Sequence, residues 1–192
     1  MILKKIVVCI GLLTFVAPAS AETTHDTFFE NFSSLCGQAV IGAVVKDNRS
    51  DARFAGKKII LHVRDCSPSE IRMPMHVGDD HSRTFILRKV ESGLEFRHDH
   101  RHEDGKPDDV TLYGGVTTAN GSGGQQDFPA DAKTKALFVE NGLDVSVSNV
   151  WTVTITPETA VTYALNRPGR EFKIKFDLNK TVDNPPAAWG HR

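Results

Sequence analysis

An excess of charge of either sign is what this 192-residue sequence most clearly lacks: 23 Lys and Arg stand against 24 Asp and Glu, a formal net charge of -1. Without a bulk basic field there is little to attract nucleic acid or an anionic lipid surface, and neither is expected as a partner. The leading apolar run, Ile6 to Val16, is shorter than the roughly 20 residues a helix needs to cross a bilayer. Cysteine is sparse, three in all, and no CxxC spacing occurs, which argues against a reactive or metal-bound thiol pair. The glycine-rich stretch from Gly114-Gly115 to Gly121-Ser122-Gly123-Gly124 lacks the Gly-Lys-Ser/Thr ending of a phosphate-binding loop and reads instead as a flexible loop over a barrel mouth. No Ser, Cys or Thr sits in a recognised nucleophile setting, and Ser33, Ser34 and Ser82 have no motif around them. An enzyme therefore has little support.

What is present begins with an export pattern. Lys4 and Lys5 precede the apolar run, and Pro18 precedes Ala19-Ser20-Ala21, with small residues at the first and third positions before a cut. This order predicts a cleavable signal peptide over residues 1–21, a mature chain from Glu22, a periplasmic or secreted location, and no stable membrane insertion after cleavage. Cys9 leaves with that segment; it lies too early in the apolar run for a lipidation site. Cys36 and Cys66 remain, and an even pair in an oxidising space is most simply a disulfide. If Ala39 to Val45 and Lys57 to Val63 pair as a hairpin centred near Asp51, Cys36 falls opposite Cys66 at its open end.

The mature chain is mostly strand-like. Further runs are Glu70 to Val77, Thr84 to Val90, Leu94 to His102, Val110 to Tyr113, Val145 to Ile155, Thr159 to Asn166 and Glu171 to Leu178, separated by turn residues. In the last run Phe172, Ile174, Phe176 and Leu178 alternate with charged residues, giving one dry and one wet face. Helical spacing is confined to Phe28, Phe29, Phe32 and Leu35, and to Ala132 to Asn141, with Asp131 as N-cap and Gly142 as C-terminal cap. The expected fold is all-β: an antiparallel barrel of the lipocalin-like (calycin) kind, or a sandwich, with two short helices. Residues 22–178 form one domain, and 179–192, interrupted by Asn184-Pro185-Pro186, form a loosely held tail in which Trp189 is the candidate anchor.

Phe32-Ser33-Ser34-Leu35-Cys36-Gly37-Gln38, His76-Val77-Gly78-Asp79-Asp80-His81-Ser82-Arg83-Thr84 and His98-Asp99-His100-Arg101-His102-Glu103-Asp104-Gly105 resemble strings in a group of small secreted proteins of Gram-negative bacteria. The resemblance implies export; it implies no reaction and no site residue.

Two clusters carry candidate chemistry. Strand alternation puts Leu94, Phe96, His98, His100 and His102 on one face and Glu95, Arg97, Asp99 and Arg101 on the other, which suits a solvated charged surface. His98 and His100 have the spacing to hold a divalent transition ion such as zinc, with His76, His81, Asp79 or Asp80 as third ligand. The plain alternative is a polar hairpin end. The second cluster, Arg72, His76, Asp79, Asp80, His81 and Arg83, is either a charged surface turn or an anion site built on an arginine fork. Arg72, His76 and Tyr113 are the ligand-binding candidates. Two functions follow from this pattern: a non-catalytic exported binding protein for a small apolar molecule or a metal ion, or a metal-dependent or acid-base enzyme using His98, His100 and His76 with Asp79 or Asp80.

Overall fold

The computed structural model describes residues 23–191; the expected signal peptide lies outside them. The described chain opens with helix α1 (Thr24–Ser33), whose N-terminus is closed by a capping box between Thr23 and Asp26. Strands follow: β1 (Ala39–Asp47), β2 (Ile59–His62), β3 (Asp65–Cys66), β4 (Glu70–Val77), β5 (Asp80–Val90), β6 (Gly93–His100), β7 (Tyr113–Val116) and β8 (Gln125–Pro129). After helix α2 (Ala132–Glu140) and a short 3-10 helix (Asp144–Ser148) come β9 (Val150–Thr156), β10 (Ala160–Arg167) and β11 (Arg170–Val182).

All neighbours pair antiparallel, in the order β7-β6-β5-β4-β2-β1-β11-β10-β9-β8, with β3 added beside β4. The sheet curls until its two edge strands meet, forming a nearly closed antiparallel barrel rather than a sandwich. Close approach at the seam depends on Gly115: a Cβ there would lie 1.8 Å from the carbonyl oxygen of Pro129. The Asp131 amide bridges the seam by donating to the Gly114 carbonyl. Inside, alternate residues of the barrel strands form one apolar core, including Ile71, Met73, Phe96, Phe128, Ile174 and Phe176, to which the exposed β3 adds nothing. Across from Phe176, Gly42 leaves room for its ring, which a Cβ would meet at 2.5 Å.

The hairpin expected around Asp51 forms, with its register one residue from a centre at Asp51: Ala39 lies opposite His62 rather than Val63. Cys36 and Cys66 are bridged just beyond it, with a Cα–Cα separation of 6.3 Å. Asp131 caps α2 through the Thr134 amide, and Gly142 follows the helix at φ +69°. Among the described residues no helix is long and apolar enough to cross a membrane.

Helix α1 plugs one end of the barrel by driving Phe28, Phe29 and Phe32 into the core. Lys89, near the end of β5, pairs with Asp26 at 2.7 Å, and Asn31 donates to the Gly123 carbonyl at 2.8 Å. Gly121 to Gly124 of the glycine-rich stretch therefore lie at this closed end, not over a mouth, while Gly114 and Gly115 belong to β7 at the seam. Two strand assignments also shift, and one strand, β8, was not expected. Val145 to Ser148 belongs to the 3-10 helix, the strand expected at Val110 begins at Tyr113, and β8 follows directly on the glycines.

The outer face of β6 is covered, although its alternating charges suggested a solvated surface. Arg97 is held by Glu95 and by Asp131 of the α2 cap. Asp99, 2% exposed, takes hydrogen bonds from Arg101, Thr111 and His191. His191 comes from the C-terminal segment, which crosses this face with the Trp189 amide on the His81 carbonyl and Ala188 buried. The segment is thus tied down by a buried carboxylate rather than left loose. Burial opposes ionisation of Asp99, yet its bonds from His191 and Arg101 hold its pKa down at about 2. Replacing Asp99 by Ala is expected to lower the unfolding free energy by about 2 to 3 kcal/mol, because it strips charge-assisted bonds from groups left under the segment. Urea denaturation measures this; a loss no larger than that of an ordinary surface substitution would mean that Asp99 does not hold the segment.

Candidate functional site

The end of the barrel opposite α1 is open. It is bounded by the β1–β2 loop, by the start of β5 and the end of β6, by the turn between β10 and β11, and by α2 with the 3-10 helix. A cavity of about 400 Å³ opens here, walled by Val110, Tyr113, Phe138, Trp151, Tyr163 and Leu165. Four arginines, Arg49, Arg53, Arg167 and Arg170, line it with Asp51, Ser146 and Asn149. A smaller space of about 110 Å³ continues beneath, reaching Arg83, Phe85, His98 and His100.

The strand pattern explains the lining. On β10 the inward row runs Val161, Tyr163, Leu165, Arg167, and on β11 it runs Phe176, Ile174, Phe172, Arg170 toward the same turn, where Arg167 and Arg170 are directly paired. Each row is apolar in the core and ends in an arginine at the mouth. Arg170 pairs with Asp47, itself little exposed, and lies 5.0 Å over the Phe172 ring. Arg53 grips Asp51 through two nitrogens, with contacts at 3.0 and 2.6 Å. Arg83 pairs with Asp80 at 2.5 Å.

His98 forms the floor. It is 2% exposed, stacks on Tyr113 with centroids 4.6 Å apart, and uses both ring nitrogens. Nδ1 lies 3.2 Å from the Tyr113 carbonyl oxygen, which can only accept, so Nδ1 carries the proton; Nε2 then accepts from the Tyr163 hydroxyl at 2.9 Å. The His100 Nε2 is 3.0 Å from the Tyr113 hydroxyl. Burial, with His100 nearby, pushes the pKa of His98 down to about 3, and burial, with the Arg83 cation, pushes that of His100 to about 4. Burial raises Tyr113 to about 12 and Tyr163 well above its ordinary value. The floor is therefore a neutral, hydrogen-bonded pair of histidines and phenols at physiological pH.

The proposed site residues separate accordingly. Tyr113, His98 and His100 meet at the mouth. His76 lies on the opposite face of the sheet, since Ile71, Met73, Met75 and Val77 of the same strand point into the core. There it stands edge-on to His81 at 4.6 Å, and its ring nitrogens have no hydrogen-bond partner. Arg72 shares that outer face and pairs with Glu70 at 2.6 Å. His76 and Arg72 are thus separated from the cavity, and the set His98, His100 and His76 does not converge. Among the described residues no three His, Cys, Asp or Glu side chains are placed to hold a metal ion.

Sequence reasoning missed Trp151, Tyr163, Arg49, Arg53, Arg167 and Arg170. Arg167 and Arg170 were recoverable by carrying the alternation one step further toward the turn. Arg49 and Arg53 were not, because their place at the mouth depends on how the β1–β2 loop folds back.

No family model matches the chain, and neither a curated protein nor a solved structure shows a significant likeness to it. The class of protein rests on the fold and the cavity alone: an antiparallel β-barrel with one end plugged and the other opening on an aromatic, arginine-rimmed pocket.

Proposed function

We propose that this is an exported, non-catalytic binding protein that holds one small molecule in the cavity at the barrel mouth. The observation that carries this reading is the cavity itself, about 400 Å³ with a further 110 Å³ below. That volume falls in the range of small-molecule pockets of roughly 300 to 1,000 Å³. Its lining divides between an aromatic and aliphatic wall, with Tyr113, Phe138, Trp151 and Leu165, and a charged rim of four arginines with Asp51, which is more polar than such sites usually are. The Cys36–Cys66 bridge is consistent with an oxidising compartment. An acid-base enzyme has less support, because both ring nitrogens of His98 are already engaged by the protein.

The test is a fluorescence titration with N-phenyl-1-naphthylamine, an uncharged three-ring probe. One saturable site is expected. Leu165→Trp, which places an indole in the cavity, should weaken binding by about tenfold or more while leaving the far-ultraviolet circular dichroism unchanged. Absence of saturable binding, or equal binding by the folded variant, would overturn the reading.

A further inference from the structure

The charges at the mouth do not balance. Of the four lining arginines, Arg53 is neutralised by Asp51 and Arg170 by Asp47. Those two carboxylates are saturated: Asp51 receives the Arg53 fork and its backbone amide, and Asp47 also receives the amides of Arg49 and Asp51. Arg49 and Arg167 have no carboxylate within 4.0 Å among the described residues, and each bonds only to a neutral group. Arg49 donates to the Gly169 carbonyl at 3.2 Å, and Arg167 donates from one terminal nitrogen to Asn149 Oδ1 at 3.0 Å.

Arg167 goes further. Its Nε is buried and has no hydrogen-bond partner. Burial, together with the Arg49 and Arg170 cations, makes its guanidinium easier to deprotonate than usual, the sign of a charge crowded by like charges. A buried donor left unpaired is costly, and a guanidinium presents a planar fork matched to an oxyanion. Inward from Arg167 on β10 the row continues as Leu165 and Tyr163, and Leu165 pairs with Trp151 of β9.

We infer that the ligand of the mouth cavity is an amphipathic oxyanion, its charged group bound by Arg167 and Arg49 and its apolar body lying against Tyr113, Trp151 and Phe138. The inference rests on the cavity being the ligand site and adds the chemistry of what enters it. Carboxylate, sulfonate and phosphate monoester heads share this chemistry. An inorganic anion satisfies the arginines but leaves the aromatic wall uncovered.

The experiment compares N-phenyl-1-naphthylamine with 1-anilinonaphthalene-8-sulfonate, which adds a sulfonate to the same ring system. The sulfonate is expected to bind about tenfold more tightly at low salt, with the advantage shrinking as salt is raised. Arg167→Gln should weaken the sulfonate by about tenfold and leave the neutral probe within about twofold. Arg49→Gln should act in the same direction, and because Arg49 is exposed on a loop it does so without threatening the fold. Decanoate and decyl phosphate should displace the sulfonate, which identifies the preferred head, while inorganic phosphate at the same concentration should not.

Equal binding of the two probes with both arginine variants indifferent would overturn the inference and leave the cavity reading standing. Displacement by inorganic phosphate as effective as by decyl phosphate would overturn the amphipathic part by showing a small-ion site. Saturable binding of neither probe would overturn the inference together with the cavity reading.

Discussion

Acidification from pH 7 to pH 5 is expected to lower the stability of this protein by on the order of 6 kcal/mol, the largest single effect the structure implies. Three histidines produce it, His98 and His76 buried and His100 half-buried. His98, His100 and His76 are depressed from an ordinary 6.5 to about 3, about 4 and about 4, in each case chiefly by burial. The second contribution differs: His100 for His98, Arg83 for His100, and His81 with His62 for His76. The sign follows from proton binding. Above about 6.5 the rings are neutral in both the folded and unfolded chain, and their contribution is fully present. As pH falls below that value the unfolded chain takes up protons that the folded chain refuses, at about 1.4 kcal/mol per pH unit for each group, until the folded values near 4 and 3 are reached. The carboxylates act later: Asp47, Asp80 and Asp99 are held at about 2, so their contribution is lost only below the ordinary 3.8. Urea midpoints at pH 7, 6 and 5 sample the histidine window, and a further point near pH 3 enters that of the carboxylates. A flat profile down to pH 5 would show that these rings are not excluded from protonation.

Reducing the Cys36–Cys66 bridge is expected to cost about 3 to 4 kcal/mol, from the unfolded chain regaining the freedom of a loop closed at a separation of 30 residues. The bridge joins the turn after α1 to β3, outside the cavity, so the double substitution Cys36→Ser with Cys66→Ser should lower the melting temperature without changing the affinity for the neutral probe in protein that is still folded. A melting temperature within a degree or two of the parent would contradict this, as would free thiols in protein taken from an oxidising compartment.

The barrel was legible in the sequence because its evidence is local. Strand alternation in Glu171 to Leu178, turn residues between runs, the Asp131 cap and the existence of the hairpin around Asp51 all survive without tertiary information. Features that depend on distant segments were not. The alternating charges of β6 suggested solvent on that face, yet α2 covers Arg97 and the C-terminal segment covers Asp99, and both covers come from far along the chain. His76, by contrast, was assignable from its own strand, because alternation puts it on the face opposite Ile71, Met73, Met75 and Val77, and those four residues are in the core. Dependence on distant segments also hid the arginine rim, which four residues from two separate turns assemble at one end of the barrel.

Mass spectrometry under native conditions, on protein purified from its own compartment, tests the central claim most directly. The cavity reading predicts that wild-type protein carries the added mass of one small molecule, and that folded Leu165→Trp, with an indole in the cavity, carries none. Wild-type protein at its bare polypeptide mass with no probe able to saturate the cavity, or an added mass retained in full by Leu165→Trp, would contradict it.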